Sequence, residues 1–226
     1  MAQARPVPEG RTSADEVFEA LYHDIVTLKL MPGRKISEAE VASQFSVSRQ
    51  PVRDAFSRLG NLGLLLIRPQ KATVVRKFSA PEIANARFVR TAIEVEVLRA
   101  AQANWPKIDT TGFQDNIEQQ AAAIEAKDSD LFHELDYEFH KMLCAASGLE
   151  LAFETIAEMK TKVDRLCLLS LEENAEMDVL LDDHKTIIAA LGGADFAPVE
   201  AAIRKHLSRL DSVVDKIQRE HGGYFE

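Results

Sequence analysis

Cysteine is nearly absent from this chain, with 2 in 226 residues. Cys144 and Cys167 both fall inside apolar helical patterns, so they read as reduced core residues of a cytosolic protein and not as a disulfide framework. No apolar run approaches the roughly 20 residues of a membrane-spanning helix. Met1 to Arg11 contain prolines and no apolar segment of the kind a secretory signal needs, so residues 1–11 are expected to form a disordered arm. Aromatic residues are only 7% of the chain, and Trp105 is the single tryptophan. A Gly-rich phosphate loop, a His-Glu-x-x-His pair and a nucleophile motif are all missing, which removes the commonest enzyme signatures. Hydrophobic residues are nevertheless 46% of the total, enough for a packed core, and the length suits two domains.

Positive charge is also short overall, and a net charge of −9 argues against a nucleic-acid partner when taken whole. Its distribution reverses the argument. From Arg11 to Lys77 there are 11 basic and 7 acidic residues, a balance of +4; from Phe78 onward there are 15 and 28, a balance of −13. A basic first third can approach phosphate, while the acidic remainder is repelled by it. Two domains are expected, residues 12–77 and 78–226, joined at Phe78-Ser79-Ala80-Pro81, where a serine cap is followed by proline in a first helical turn.

Within the basic part the periodicity predicts a helix over Ser13 to Leu28, with Val17, Leu21, Ile25 and Leu28 on one face, ended by Met31-Pro32-Gly33. A short helix over Ser37 to Gln44 directs Ala39, Val41, Ala42 and Phe45 to a small core. Phe45-Ser46-Val47 makes a tight turn with a buried valine. Ser48 stands where an N-cap belongs, and a second helix follows in which Val52, Ala55, Phe56 and Leu59 face inward. That leaves Arg49, Gln50, Arg53 and Ser57 outside. Leu64 to Ile67 then reads as a strand. A surface helix with two solvated arginines accounts for any one of these features alone. Their order is that of a winged helix-turn-helix, whose recognition helix uses its N-terminal residues to reach base edges.

The stretches Met31 to Ile36, Val47 to Phe56 and Leu59 to Ile67 resemble the DNA-binding domain of the GntR family of bacterial transcription regulators, over about Ala14 to Val75. The resemblance implies DNA contacts by Arg34, Arg49 and Arg53, to which Ser48, Gln50 and the wing residue Lys71 are added as candidates. One departure concerns the wing tip, where the family usually has glycine and this chain has Gln70-Lys71-Ala72-Thr73. Alanine tolerates positive φ poorly, so the wing turn is expected to differ in shape.

After Pro81 every periodic segment is helical: Pro81 to Ala103, Gly112 to Lys127, Ser129 to Ala146, Leu149 to Leu171, Met177 to Leu191 and Pro198 to Arg219. The fold class is therefore mainly α, a winged helix-turn-helix followed by an all-α bundle. Three histidines lie on apolar helix faces. Asp136 and His140 are four residues apart and share a face with Phe132 and Leu143. His184 is in register with Leu180, Ile187, Ile188 and Leu191; His206 with Ile203, Leu210 and Val213. Each alone reads as a satisfied core histidine, but together they make one carboxylate and three imidazoles pointing inward. Buried without partners they would cost several kcal/mol, and a divalent ion removes that cost; zinc, nickel and manganese all suit this donor set. His133 faces away from the Asp136 face and is given no role.

The second part resembles the all-helical effector-binding domain of the FadR-like branch of that family (FCD-type), in the subgroup that holds a metal, over about Ala80 to Gln218. The resemblance puts Asp136, His140, His184 and His206 on its ligand positions and implies a small organic acid as effector, with Arg90, and secondarily Arg165, as its carboxylate partner. The expected protein is a homodimeric, metabolite-responsive repressor on a pseudo-palindromic double-stranded operator, in the cytoplasm and with no membrane partner. Two rivals stay open. One is a regulator that senses the metal itself. The other is a metal-dependent hydrolase, suggested by Leu181-Asp182-Asp183-His184.

Overall fold

Thr12 opens the first helix by a reciprocal cap. Its hydroxyl accepts from the Asp15 backbone N–H, and the Asp15 carboxylate accepts from the Thr12 backbone N–H. The computed structural model describes residues 12–68, 71–163, 165–166 and 174–226; the expected arm 1–11, Gln70 and Cys167 lie outside them. Helix α1 runs Ser13–Val26 and buries Val17, Leu21 and Ile25 as expected. It is shorter than its periodicity suggested. Thr27 closes it with its N–H and hydroxyl on the His23 carbonyl, and Leu28 takes φ 55°, so Leu28 does not extend the helical face.

Strand β1, Lys35–Ile36, was not legible: two residues are too few for an alternation to show. Ser37 caps α2, Glu38–Phe45, which buries Val41 and Ala42. Ala39 is exposed, against expectation. At about 100° per residue it points well away from the mean direction of Val41, Ala42 and Phe45. Ser46 turns the chain through the left-handed region at φ 55°, and Val47 behind it is half-buried rather than buried. Helix α3, Arg49–Asn61, follows and buries Val52, Ala55, Phe56 and Leu59. Ser48 holds the cap position by backbone conformation, without a side-chain bond. Strands β2, Leu65–Leu66, and β3, Thr73–Val75, complete an antiparallel sheet in the order β1-β3-β2, with Lys35 opposite Val74 and Leu65 opposite Val75. Ala72 is not among the described residues with positive φ.

One segment departs from the expected division at residues 77/78. The first structural unit includes Phe78 and also Tyr224–Glu226; the second is Ser79–Gly223. Phe78 donates its N–H to the Tyr224 carbonyl at 2.8 Å and accepts from the Glu226 N–H at 3.0 Å. The Phe78 and Phe225 rings meet with centroids 5.3 Å apart. Two phenylalanines that bury each other outweigh the sequence proximity of Phe225 to the helical unit.

The second unit is helical throughout the described residues: α4 Ala80–Asn104, a 3₁₀ turn Trp105–Lys107, α5 Thr111–Ala126, α6 Ser129–Ser147, α7 Ala152–Thr161, α8 Asn174–Leu191 and α9 Phe196–Glu220. The expected helix Leu149 to Leu171 is represented by α7, with residues 164 and 167–173 outside the described set. Asp128 and Asp195 cap α6 and α9 through backbone N–H groups of the first turn. Helix α4 packs on α6, α7 and α9, so it is buried on several faces. Val95, Leu98, Phe113, Phe139, Leu143, Ile187, Leu191, Val199 and Ile203 form the core that brings α4, α5, α6, α8 and α9 together. Cys144 is buried beside Val97 and Ile156. Burial and the nearby Glu94 carboxylate push its thiol up to about 12, so it is an inert core residue. No described helix is long and apolar enough to cross a membrane.

Candidate functional site

The outer face of α3 is as the periodicity drew it. Ser48, Arg49, Gln50, Arg53 and Ser57 are exposed, and so is Arg34 before β1. Arg53 reaches Glu38 of α2 at 3.3 Å and Gln50 donates to Asp54 at 2.9 Å. Both are surface contacts of small energetic value, so the arginine remains available to a stronger anion. Lys71 lines a groove with Lys35, Arg68, Arg76 and Lys77. Exposed basic residues thus occur both on α3 and around the wing, the charge distribution a polyanion partner needs.

The second site is buried. Asp136 and His140 project from α6, His184 from α8 and His206 from α9. One ligand atom from each lies within 4.8 Å of all the others. His184 Nε2 is 3.3 Å and His140 Nε2 is 3.8 Å from Asp136 Oδ1; His206 Nε2 is 3.3 Å from His140 Nε2.

Two of the tautomers follow from the surroundings. Asn116 on α5 donates its amide to the Leu135 carbonyl, which can only accept. Its oxygen therefore accepts from Gln120 Nε2 at 2.6 Å, leaving Gln120 Oε1 to face His184 Nδ1 at 2.8 Å. The proton of His184 must sit on Nδ1, and Nε2 carries a lone pair. His140 is fixed from another side. Arg90 Nη2 lies 2.9 Å from its Nε2 and can only donate, so the His140 proton sits on Nδ1. That atom faces Glu94 Oε2 at 2.7 Å, a short charge contact not aligned as a hydrogen bond. The His184 Nε2 lone pair therefore faces the Asp136 carboxylate at 3.3 Å, while that of His140 accepts from Arg90. His184 Nε2 and His206 Nδ1 are buried with no hydrogen-bond partner. Acceptors facing acceptors in a dry interior are relieved by a cation between them, so the donor set fits a divalent ion.

The electrostatics agree. Burial lowers the pKa of His184 and pushes that of His206 well down, so both favour the neutral, ligating form. Burial alone would raise Asp136, but the Lys160 ammonium and the adjacent imidazoles hold it well below the usual carboxylate range. Glu94 is likewise carried down to about 2 by Arg90 and His140 against the cost of burial.

A cavity of about 230 Å³ opens beside the cluster, lined by Arg90, His133, Asp136, Lys160, His206, Arg209 and apolar residues that include Phe132, Val163 and Leu210. That is below the roughly 300–1,000 Å³ typical of drug-sized ligands, so it suits a small molecule. The structure brings Arg90 to this cavity. Arg165 is buried but does not line it, and its expected effector role is not supported by position. His133, given no role above, does line it. Burial first, and then the Lys160 ammonium, push its pKa down to about 3. Three residues before Asp136 on α6, His133 stands only about 60° round the helix, so it does not face away as expected. Glu94, Asn116, Gln120 and Lys160 were also missed. Asn116 and Gln120 could have been found, because they are polar residues in register with the buried Phe113 and Ala123 of α5. Lys160 carries no such signal, since one lysine on an amphipathic helix reads as solvated.

Asp183, next to His184, is buried and held by Arg209 at 2.9 and 3.2 Å and by Lys205 at 3.1 Å. This bridge fixes α8 to α9 beside both of their histidines.

Comparison with known proteins decides the family. Residues 13–75 match the model described as bacterial regulatory proteins, gntR family, and residues 86–209 match the FCD domain. The HTH-type transcriptional repressor RspR of Escherichia coli (strain K12) is 38% identical over 210 residues, 93% of this chain and 92% of its own. The chain belongs to the GntR family. As a GntR-family protein with an FCD domain it is a transcription regulator and not an enzyme. A probable D-xylose utilization operon transcriptional repressor of Paenarthrobacter nicotinovorans is 28% identical over 87% of this chain and 86% of its own. Among solved structures, E. coli McbR/YncC superposes with a TM-score of 0.70 at 19% identity, covering 91% of this chain and 98% of that one. This likeness shows that the fold is shared.

Proposed function

We propose that this GntR-family regulator is a repressor that binds a pseudo-palindromic operator as a homodimer. Its operator affinity is controlled by a small organic acid held beside a divalent metal ion. The repressor reading follows the names of its relatives. The observation that carries the metal reading is the convergence of Asp136, His140, His184 and His206, with the His184 Nε2 lone pair turned by its fixed tautomer to the Asp136 carboxylate. Zinc, nickel and manganese all suit this set, and a bound ion would supply positive charge with positions left for a carboxylate. The chain's own residues do the rest. Asn116 and Gln120 orient His184, Glu94 and Arg90 orient His140, and Asp183 with Arg209 sets α8 against α9. Arg90, which lines the cavity and already pairs with Glu94, would share its charge with a carboxylate there, and the apolar walls would exclude water from the contact. Arg34, Ser48, Arg49, Gln50, Arg53 and Lys71 are the proposed DNA contacts.

The reading is tested with His206→Ala. The expected protein lacks metal by elemental analysis, melts lower and no longer releases operator DNA when an effector is added, yet binds DNA without effector as wild type does. A wild-type protein free of metal, together with an unchanged effector response in His206→Ala, would remove both the site and the mechanism.

A further inference from the structure

Lys160 is almost wholly buried on α7, at 2% exposure. Its ammonium lies 2.7 Å from Asp136 Oδ2 and 4.3 Å above the Tyr137 ring. It also lines the cavity beside Arg90 and His133. Two of the four convergent groups thus already face a protein cation, Asp136 facing Lys160 and His140 facing Arg90. The remaining cations of the cavity wall are committed elsewhere, Arg87 to Asp211 and Arg209 to Asp183. A buried ammonium is costly without an anion. Any divalent ion that draws on the Asp136 charge therefore weakens what holds Lys160, and it does so at the wall of a cavity sized for a small molecule. The converse also holds, since an anion that attracts Lys160 leaves Asp136 freer to ligate.

Resting on the reading that Asp136 and the three histidines hold a divalent ion, we propose that Lys160 is a cation shared between the metal site and the cavity. It competes with the ion for Asp136, and it takes the carboxylate of the small acid once the ion is bound. Metal and anion then reinforce one another by the same factor in both directions, because each relieves the other's demand on one side chain. A lysine that only oriented Asp136 would instead support the metal and be indifferent to the anion.

The two roles differ in sign, which makes them separable. Zinc affinity is measured by competition with a chelating indicator, on wild type, Lys160→Met and Lys160→Gln, each with and without acetate as the carboxylate probe. Circular dichroism melts of the metal-free proteins establish that each variant is folded; glutamine keeps a hydrogen-bond donor to Asp136 without the charge. Loss of the neighbouring charge is expected to tighten zinc about tenfold in both variants. Acetate is expected to raise zinc affinity about fivefold more in wild type than in either variant, where only its direct attraction to the ion remains. Weaker zinc binding in the folded variants, or an acetate effect undiminished by the loss of Lys160, overturns the proposal while leaving the metal site itself intact. No zinc uptake by wild type overturns the metal reading, and this inference with it.

Discussion

Gln120→Leu tests the chain of amides behind the histidines. Gln120 is fully buried, and its side chain makes two bonds, one to His184 Nδ1 and one to Asn116 Oδ1. Leucine fills nearly the same volume and strands both partners in a dry core. Each buried group left unpaired costs about 1–3 kcal/mol, so the metal-free protein is expected to lose about 2–6 kcal/mol. At about 2–4 °C per kcal/mol for a chain of this size, the melting temperature falls by roughly 4–24 °C. The metal effect is separate. With no acceptor at Nδ1 the His184 proton is free to move to Nε2, where it blocks ligation, and removal of such an outer partner typically weakens metal binding about 10–100-fold. Gln120→Glu is the control, since it keeps an acceptor at Nδ1 and should retain zinc. Chelator competition and thermal melts read the two effects independently. A Gln120→Leu protein that melts lower but binds zinc within about twofold of wild type would refute the tautomer argument.

Three further outcomes are expected. Arg53→Ala should weaken specific operator binding by about 1–3 kcal/mol while barely moving the melting temperature, because its ion pair with Glu38 is exposed; an unchanged gel shift with a specific operator would count against α3 as the reading helix. Burial lowers the pKa values of His184 and His206 while the unfolded chain titrates near 6.5, so the unfolded state binds protons first and the metal-free protein loses stability as pH falls below about 6.5. Each histidine contributes up to about 1.4 kcal/mol per pH unit, and a melting temperature that is flat between about pH 7.5 and 5.5 would contradict this. Arg209→Met should cost about 1–2 kcal/mol, discounted for the partial exposure of the arginine, since Asp183 keeps only Lys205; melts of the metal-free protein check it.

The helical plan was legible because most helices carry a 3.6-residue apolar stripe, and the boundaries expected near Ser37, after Lys127 and before Leu149 are kept to within a residue or two. The four convergent residues were legible for the same reason, as polar groups placed on apolar faces. What stayed hidden was decided between helices. Lys160 becomes a buried partner of Asp136 only through the packing of α7 on α6, and β1 exists only because β3 lies beside it. Arg165 is buried outside the lining of the cavity, and an apolar surrounding in sequence does not say which cavity a side chain enters.

The return of Tyr224–Glu226 to the first unit has a consequence for anyone who wishes to cut or recombine this protein. The DNA-binding unit is written in two pieces of chain, one ending at Phe78 and the other beginning at Tyr224. A fragment stopping at Phe78 would bare a ring now 2% exposed and leave its N–H and carbonyl without their partners on Tyr224 and Glu226. Such a fragment would be stickier and less stable than its compact winged sequence suggests. A chimera that borrows a relative's helical unit faces the same difficulty: joined only at residue 79, it seats a foreign tail on a native phenylalanine. Exchange at two junctions, with Tyr224–Glu226 kept from the parent that supplies Phe78, preserves the match.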